Sequence, residues 1–131
     1  MEKWCSPYLS KISRSFCQEE FILDTGDLIN NLESINESKI LEKENINLFT
    51  LDVEKLYPSI QPELAIQAIR DAFATDKSTD KKTKSAILHF IQLSFENSYV
   101  SYQDKTYKST IGIPTGGSLS RQIADIFLHW I

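Results

Sequence analysis

Apolar residues recur at helical spacing along most of the chain, and at strand-like spacing in a few short runs. Between Trp4 and Phe16, the residues Tyr8, Leu9, Ile12 and Phe16 mark one face of a helix. Asp24 or Thr25 offers an N-cap, and Leu28, Ile29, Leu32 and Ile35 follow as the stripe of a second amphipathic helix. The charged stretch from Asn36 to Asn47 reads as a solvated helix end and loop. Leu48 to Leu51 is a short apolar run between polar residues, which predicts a buried strand ending at Asp52. Pro62 fits the first position of a third helix, whose face is Ala65, Ile66, Ile69, Ala72 and Phe73. After a polar loop from Thr75 to Asp80, a fourth helix presents Ile87, Leu88, Ile91 and Phe95. Tyr99 to Gln103 and Thr106 to Ser109 predict two strands joined at Asp104-Lys105, rich in aromatic and β-branched residues but without a glycine at the turn. A glycine-rich loop runs from Ile111 to Ser118. A last helix, with Ile123, Ile126, Phe127 and Trp130 on one face, is still strongly apolar where the sequence stops at Ile131. Such a face needs something to pack against, so the expectation is a truncated domain. The pattern as a whole predicts an α/β protein of the α+β kind, a small antiparallel sheet covered by helices.

Length and composition narrow the class without choosing a function. The 131 residues fit one domain, and 41% hydrophobic with 24% charged residues is ordinary for a soluble globular chain. Cys5 and Cys17 form no C-x-x-C pair, and with His89 and His129 as the only histidines there is no zinc-site spacing, so two reduced thiols in an intracellular protein are expected. The most apolar segment, Ile123 to Ile131, is interrupted by Asp125 and His129 and is far short of the roughly 20 residues of a membrane span. The N-terminus has no signal-peptide apolar run. A net charge of −4 argues against a nucleic-acid partner, although Lys77, Lys81, Lys82 and Lys84 form one basic cluster.

Candidate chemistry comes from a handful of positions. Asp52, at the end of an expected strand, stands where open sheets place ligands and metals, and magnesium takes one or two carboxylates plus substrate phosphates. A capping or turn role for Asp52 is the competing reading. Tyr57 is placed to reach back over the same region or to fill the core as a half-buried aromatic. The glycines between Gly112 and Ser118 let backbone N–H groups approach a ligand ahead of a helix N-terminus, but no Lys-Ser/Thr pair follows, so this is not a P-loop. The lysine cluster reads as a solvated face before it reads as a phosphate track. Tyr99, Tyr102 and Tyr107 are candidates for base stacking or, more simply, for sheet packing.

Taken in order, two segments resemble motifs of one family. Asp52-Val53-Glu54-Lys55-Leu56-Tyr57-Pro58-Ser59-Ile60 resembles motif A of reverse transcriptases, in the D-V-x-x-L-Y-x-x-I form of Penelope-like retroelements. Gly112-Ile113-Pro114-Thr115-Gly116-Gly117-Ser118-Leu119-Ser120 resembles motif B, commonly G-I/V-P-Q-G-S-x-L-S, and Ala124-Asp125-Ile126-Phe127-Leu128 is similar to the run that continues it. The resemblance covers the chain from about Asp24 onward. It implies that residues 1–131 are a partial reverse transcriptase domain, with 1–47 a helical fingers/palm region and 48–131 palm carrying motifs A and B. It further implies Mg-dependent nucleotidyl transfer at two metal ions about 4 Å apart. Asp52 is then the catalytic carboxylate and metal ligand, with the Val53 carbonyl as a second metal contact. Tyr57 crowds the sugar 2′-OH, and Gly112, Pro114, Thr115, Gly116 and Gly117 shape the nucleotide and template wall. The implied partners are an RNA template, a DNA primer and a deoxynucleoside triphosphate, with no membrane, and the implied location is intracellular, with a nuclear role.

The same resemblance marks what differs. The paired aspartates of motif C are absent from these residues, as are the basic fingers residues that hold the triphosphate, and a chain with Asp52 alone is expected to be inactive. Thr115 stands where many relatives have Gln, and Arg121 where Pro is common. Two alternatives stay open. One is a domesticated or decayed remnant serving as a nucleic-acid or protein interaction module. The other is a polymerase of group II intron or telomerase type, with the same chemistry and different partners.

Overall fold

A computed structural model describes residues 2–17, 22, 24–37 and 49–131. Six helices and one hairpin follow in order among them: α1 (Glu2–Phe16), α2 (Thr25–Glu37), α3 (Leu56–Ser59), α4 (Pro62–Thr75), α5 (Lys81–Glu96), β1 (Tyr99–Tyr102), β2 (Lys105–Lys108) and α6 (Ser120–Trp130). The fold is mixed, helical with a small two-stranded antiparallel sheet, in the α+β class. The chain divides into two compact units, one formed by residues 1–18 with 54–131, the other by residues 19–53.

The larger unit is built on the helical stripes. Cys5, Leu9 and Ile12 of α1, the residues Ala65, Ala68, Ile69, Ala72 and Phe73 of α4, Ile87 and Ile91 of α5, and Ile123, Ala124 and Ile126 of α6 are all buried in one cluster. Helix α6 packs against α1 and α4, and α5 packs on α4. The alanines on α4 let neighbouring helices approach closely, while the branched side chains fill the space between them. Pro62 opens α4, as expected from its fixed φ and missing N–H. Helix α5 starts at Asp80, whose carboxylate accepts from Lys82 N at 2.9 Å and Thr83 N at 3.1 Å. Phe127 and Trp130 lie against this core. The Trp130 Nε1 donates to Asp71 Oδ2 at 2.8 Å, and Gln67 holds the other Asp71 oxygen at 3.0 Å, so the polar edge of the indole has a partner on α4.

In the smaller unit the cap of α2 is Asp24, whose Oδ1 accepts from Asp27 N at 3.0 Å. The expected stripe of Leu28, Ile29, Leu32 and Ile35 forms along α2 but stays exposed. The stretch after Glu37 and residue Leu48 lie outside the described residues. The strand expected at 48–51 is not formed over 49–51, where the backbone is irregular and Phe49 and Leu51 are 79% and 86% exposed. The reason is pairing: a strand buries its backbone polar groups only by joining a ladder, and among the described residues the one ladder is β1 with β2.

That hairpin differs from expectation in two ways. Its turn is Gln103-Asp104, one residue earlier than the sequence suggests, with Tyr102 paired to Lys105. Both turn residues have positive φ, 48° and 59°, the signature of a two-residue type I′ turn whose twist matches the strands. Aspartate tolerates this conformation, and glutamine occupies it at some cost. All eight strand residues are exposed, so no described helix covers the sheet.

Part of the lysine cluster is structural. Lys84 Nζ donates to the Phe73 carbonyl at 2.7 Å and to the Asp76 carbonyl, lies 5.9 Å over the Phe73 ring, and is 3.7 Å from Asp76 Oδ2. It thereby satisfies carbonyls that the end of α4 leaves without helical donors. Asp76 in turn accepts from Ser78 Oγ at 2.6 Å, Ser78 N at 2.9 Å and Thr79 N at 3.1 Å. The Ser78 hydroxyl first, and then the other donors, hold the Asp76 carboxyl well below its ordinary 3.8. Because the folded state binds that proton less tightly than the unfolded chain, the stabilisation is complete above the ordinary value and is lost as pH falls below it. Replacing Asp76 by Ala is therefore expected to destabilise the protein by about 1–2 kcal/mol in urea titrations at pH 7. The difference from wild type should shrink steadily as the titration is repeated at more acid pH; a difference that grows under acid contradicts this account.

Candidate functional site

The site residues fall into two groups. Asp52 and Val53 lie at the end of the smaller unit, both exposed and in irregular backbone. Tyr57 and the glycine loop belong to the larger unit, where they meet.

Lys55 adopts a left-handed conformation, φ 53°, and turns the chain into the single helical turn α3. Its ion pair with Glu54, 3.7 Å between two exposed side chains, contributes little. Tyr57 on α3 is half-buried against the core, and Ile60 just after it is fully buried. The Tyr57 carbonyl accepts from Ile113 N at 2.9 Å. Gly112, immediately before, has φ +78°, and a Cβ built there would stand 2.7 Å from Pro58 Cα and 2.9 Å from Pro58 O. Glycine is thus required at 112 twice over, by conformation and by the approach of the Pro58 backbone. The buried Ile113 side chain then pins the loop into the core. The segments that resemble motifs A and B are joined, backbone to backbone.

The rest of the loop is shaped locally. Ser120 Oγ donates to the Pro114 carbonyl across the start of α6. Thr115 and Gly116 form an exposed turn, with Gly116 at φ +82° and open space around it. A Cβ at Gly117 would meet Ser120 Oγ at 2.8 Å. Ser118 donates through its N and its Oγ to Glu2 Oε2, at 3.2 and 3.1 Å, while Ser94 Oγ donates to Glu2 Oε1 at 3.0 Å. Glu2 thus places a carboxylate on a loop N–H just ahead of α6, where backbone donors favour an anion. Sequence reasoning missed Glu2, and no local signal could have found it, since its partners lie at the far end of the chain.

On α6, Arg121 is within 3.9 Å of Asp125, one turn on, and burial pushes the Asp125 carboxyl up while Arg121 opposes that shift. Lys77, Lys81 and Lys82 are exposed and Lys84 is tied to the end of α4, so the cluster is not a single free basic face. Tyr99, Tyr102 and Tyr107 are exposed on the hairpin rather than packed into the core.

Among the described residues no three of His, Cys, Asp or Glu converge as a metal-binding group. The Asp52 carboxylate and Val53 carbonyl are two oxygen donors of the kind magnesium accepts. The sequence contains no Asp-Asp pair. No described helix is long and apolar enough to cross a membrane. Comparison with family models, with curated proteins and with solved structures found no match for the chain.

The Gly112 junction makes a graded prediction. Gly112→Ala adds both left-handed strain and a backbone clash and is expected to cost about 2–4 kcal/mol, whereas Gly116→Ala adds strain alone, about 1–2 kcal/mol. Chemical denaturation of the two variants measures the difference, and equal losses would contradict a required close approach at Pro58.

Proposed function

We propose that this chain supplies the motif A and motif B part of the palm of an RNA-directed DNA polymerase of Penelope-like type. Asp52 is the metal-binding carboxylate and the Val53 carbonyl its neighbour. Tyr57 screens the sugar, and Gly112, Pro114, Thr115, Gly116 and Gly117 form the wall beside the incoming nucleotide. Magnesium, when bound, neutralises charge on the transferring phosphate, so the protein's own share is positioning. The observation that carries this reading is the junction of Tyr57 and Pro58 with Gly112 and Ile113. Two segments far apart in sequence, each resembling a polymerase motif, are held together by a backbone hydrogen bond and a contact only glycine permits.

A second reading is an interaction module without catalysis, favoured by the net charge of −4. Primer extension on an RNA template with Mg²⁺ separates the two. The 131-residue chain alone should incorporate no nucleotide above an Asp52→Ala control. A chain extended by about a hundred further residues at each end of its reading frame should extend the primer. Its rate should fall at least about 100-fold on Asp52→Ala. Silence from both chains, each folded, would displace the polymerase reading in favour of the interaction module.

A further inference from the structure

The β1–β2 hairpin carries more aromatic surface than its own stability can use. A two-stranded ribbon with four residues a strand is marginal by itself. Ser109 N donates to Ser98 O at 2.8 Å and closes its base. Side chains on such a ribbon alternate between faces. The register therefore sets Val100, Tyr102, Lys105 and Tyr107 on one face, with Tyr99, Ser101, Thr106 and Lys108 on the other. On the first face Lys105 stands directly opposite Tyr102, and Tyr107 is the diagonal neighbour of Tyr102, near enough for two rings and an ammonium to act on one ligand. Tyr99, Tyr102 and Tyr107 are 56%, 65% and 49% exposed, so their rings are presented and not stored in a core. The charge also differs locally: across the strands and turn two lysines face one aspartate, within a chain of net −4.

We infer that this hairpin is a binding platform for single-stranded nucleic acid, with bases stacked on Tyr102 and Tyr107 and a phosphate held by Lys105. Aromatic rings interleaved with cations are what a sequence-tolerant single-strand binder needs, because every base has a π-face and every linkage a charge. The inference deepens the polymerase reading, on which it rests for the identity of the strand as unpaired template. The binding itself requires only the hairpin.

The test is fluorescence anisotropy of a labelled single-stranded oligo(dT) or oligo(U) of about 12 nucleotides, titrated with the whole 131-residue chain at low salt. Tyr102→Ala and Tyr107→Ala are each expected to weaken binding by about 5- to 100-fold. Tyr102→Phe should retain it, since stacking needs the ring and not the hydroxyl. Lys105→Ala, which leaves the rings in place, should weaken binding and lower the slope of log affinity against log salt by about one. Absence of binding by the wild-type chain, or equal affinity of all variants, overturns the inference. So does unchanged oligonucleotide affinity in alanine variants that lose self-association by light scattering, which assigns the face to a protein contact. Hairpin-dependent binding by a chain whose extended form does not polymerise would remove the polymerase reading and leave this one standing. Primer extension by a chain whose hairpin variants bind normally would do the reverse.

Discussion

The approach of Gly112 to the Pro58 backbone is the constraint on which the site depends. It lets Ile113 N reach the Tyr57 carbonyl at 2.9 Å and drops the Ile113 side chain into the same core that holds Ile60. From there the chain can turn through Pro114, tie back by Ser120 Oγ, and launch α6 between α1 and α4. A side chain at 112 would push the loop off α3 and with it the start of α6, so packing and site geometry are set by one missing Cβ.

Elsewhere in the larger unit three polar side chains tie packed elements together. Glu2 bridges Ser94 and Ser118, Asp71 receives Trp130 and Gln67, and Lys84 closes the end of α4. Glu2 and the Trp130–Asp71 bond join elements distant in sequence, and Lys84 joins the consecutive helices α4 and α5. Such bonds add modest stability and considerable definition, since leaving one partner unpaired in a partly buried setting costs more than the bond contributes. The exposed parts differ in kind. The hairpin and the α2 stripe carry apolar and aromatic surface that the described residues leave uncovered.

What could be read from the sequence follows from period and from burial. The five longer helices were legible because Leu9, Ile69, Ile91 and Ile126 sit in apolar stripes of period 3.6, and because Asp80 and Pro62 are local start signals, whereas the single turn α3 was not expected. The hairpin was legible from its β-branched and aromatic residues, but its turn was displaced by one because neither Gln103 nor Asp104 advertises a positive φ as glycine would. The run at 48–51 looked like a buried strand, yet apolarity alone does not supply a ladder partner. Gly112 could be picked out as part of a loop, whereas its need for glycine depends on Pro58, which only the fold brings near. The roles of Glu2 and Lys84 were hidden for the same reason. Asp52 was picked out by its expected place at a strand end and the loop by its glycines, their resemblance to polymerase motifs suggested roles, and the geometry joins the loop to Tyr57 and Pro58 within one unit.

Native-state amide hydrogen exchange at Ile113 tests the junction most directly, because that single N–H makes the bond between the two segments. This amide is expected to exchange as slowly as the buried amides of α4 and α6, opening only when the whole unit unfolds, while Thr115 and Gly116 exchange freely. An Ile113 amide that exchanges at the rate of Thr115 and Gly116 would mean that the loop is not fastened to Tyr57, and would contradict the junction.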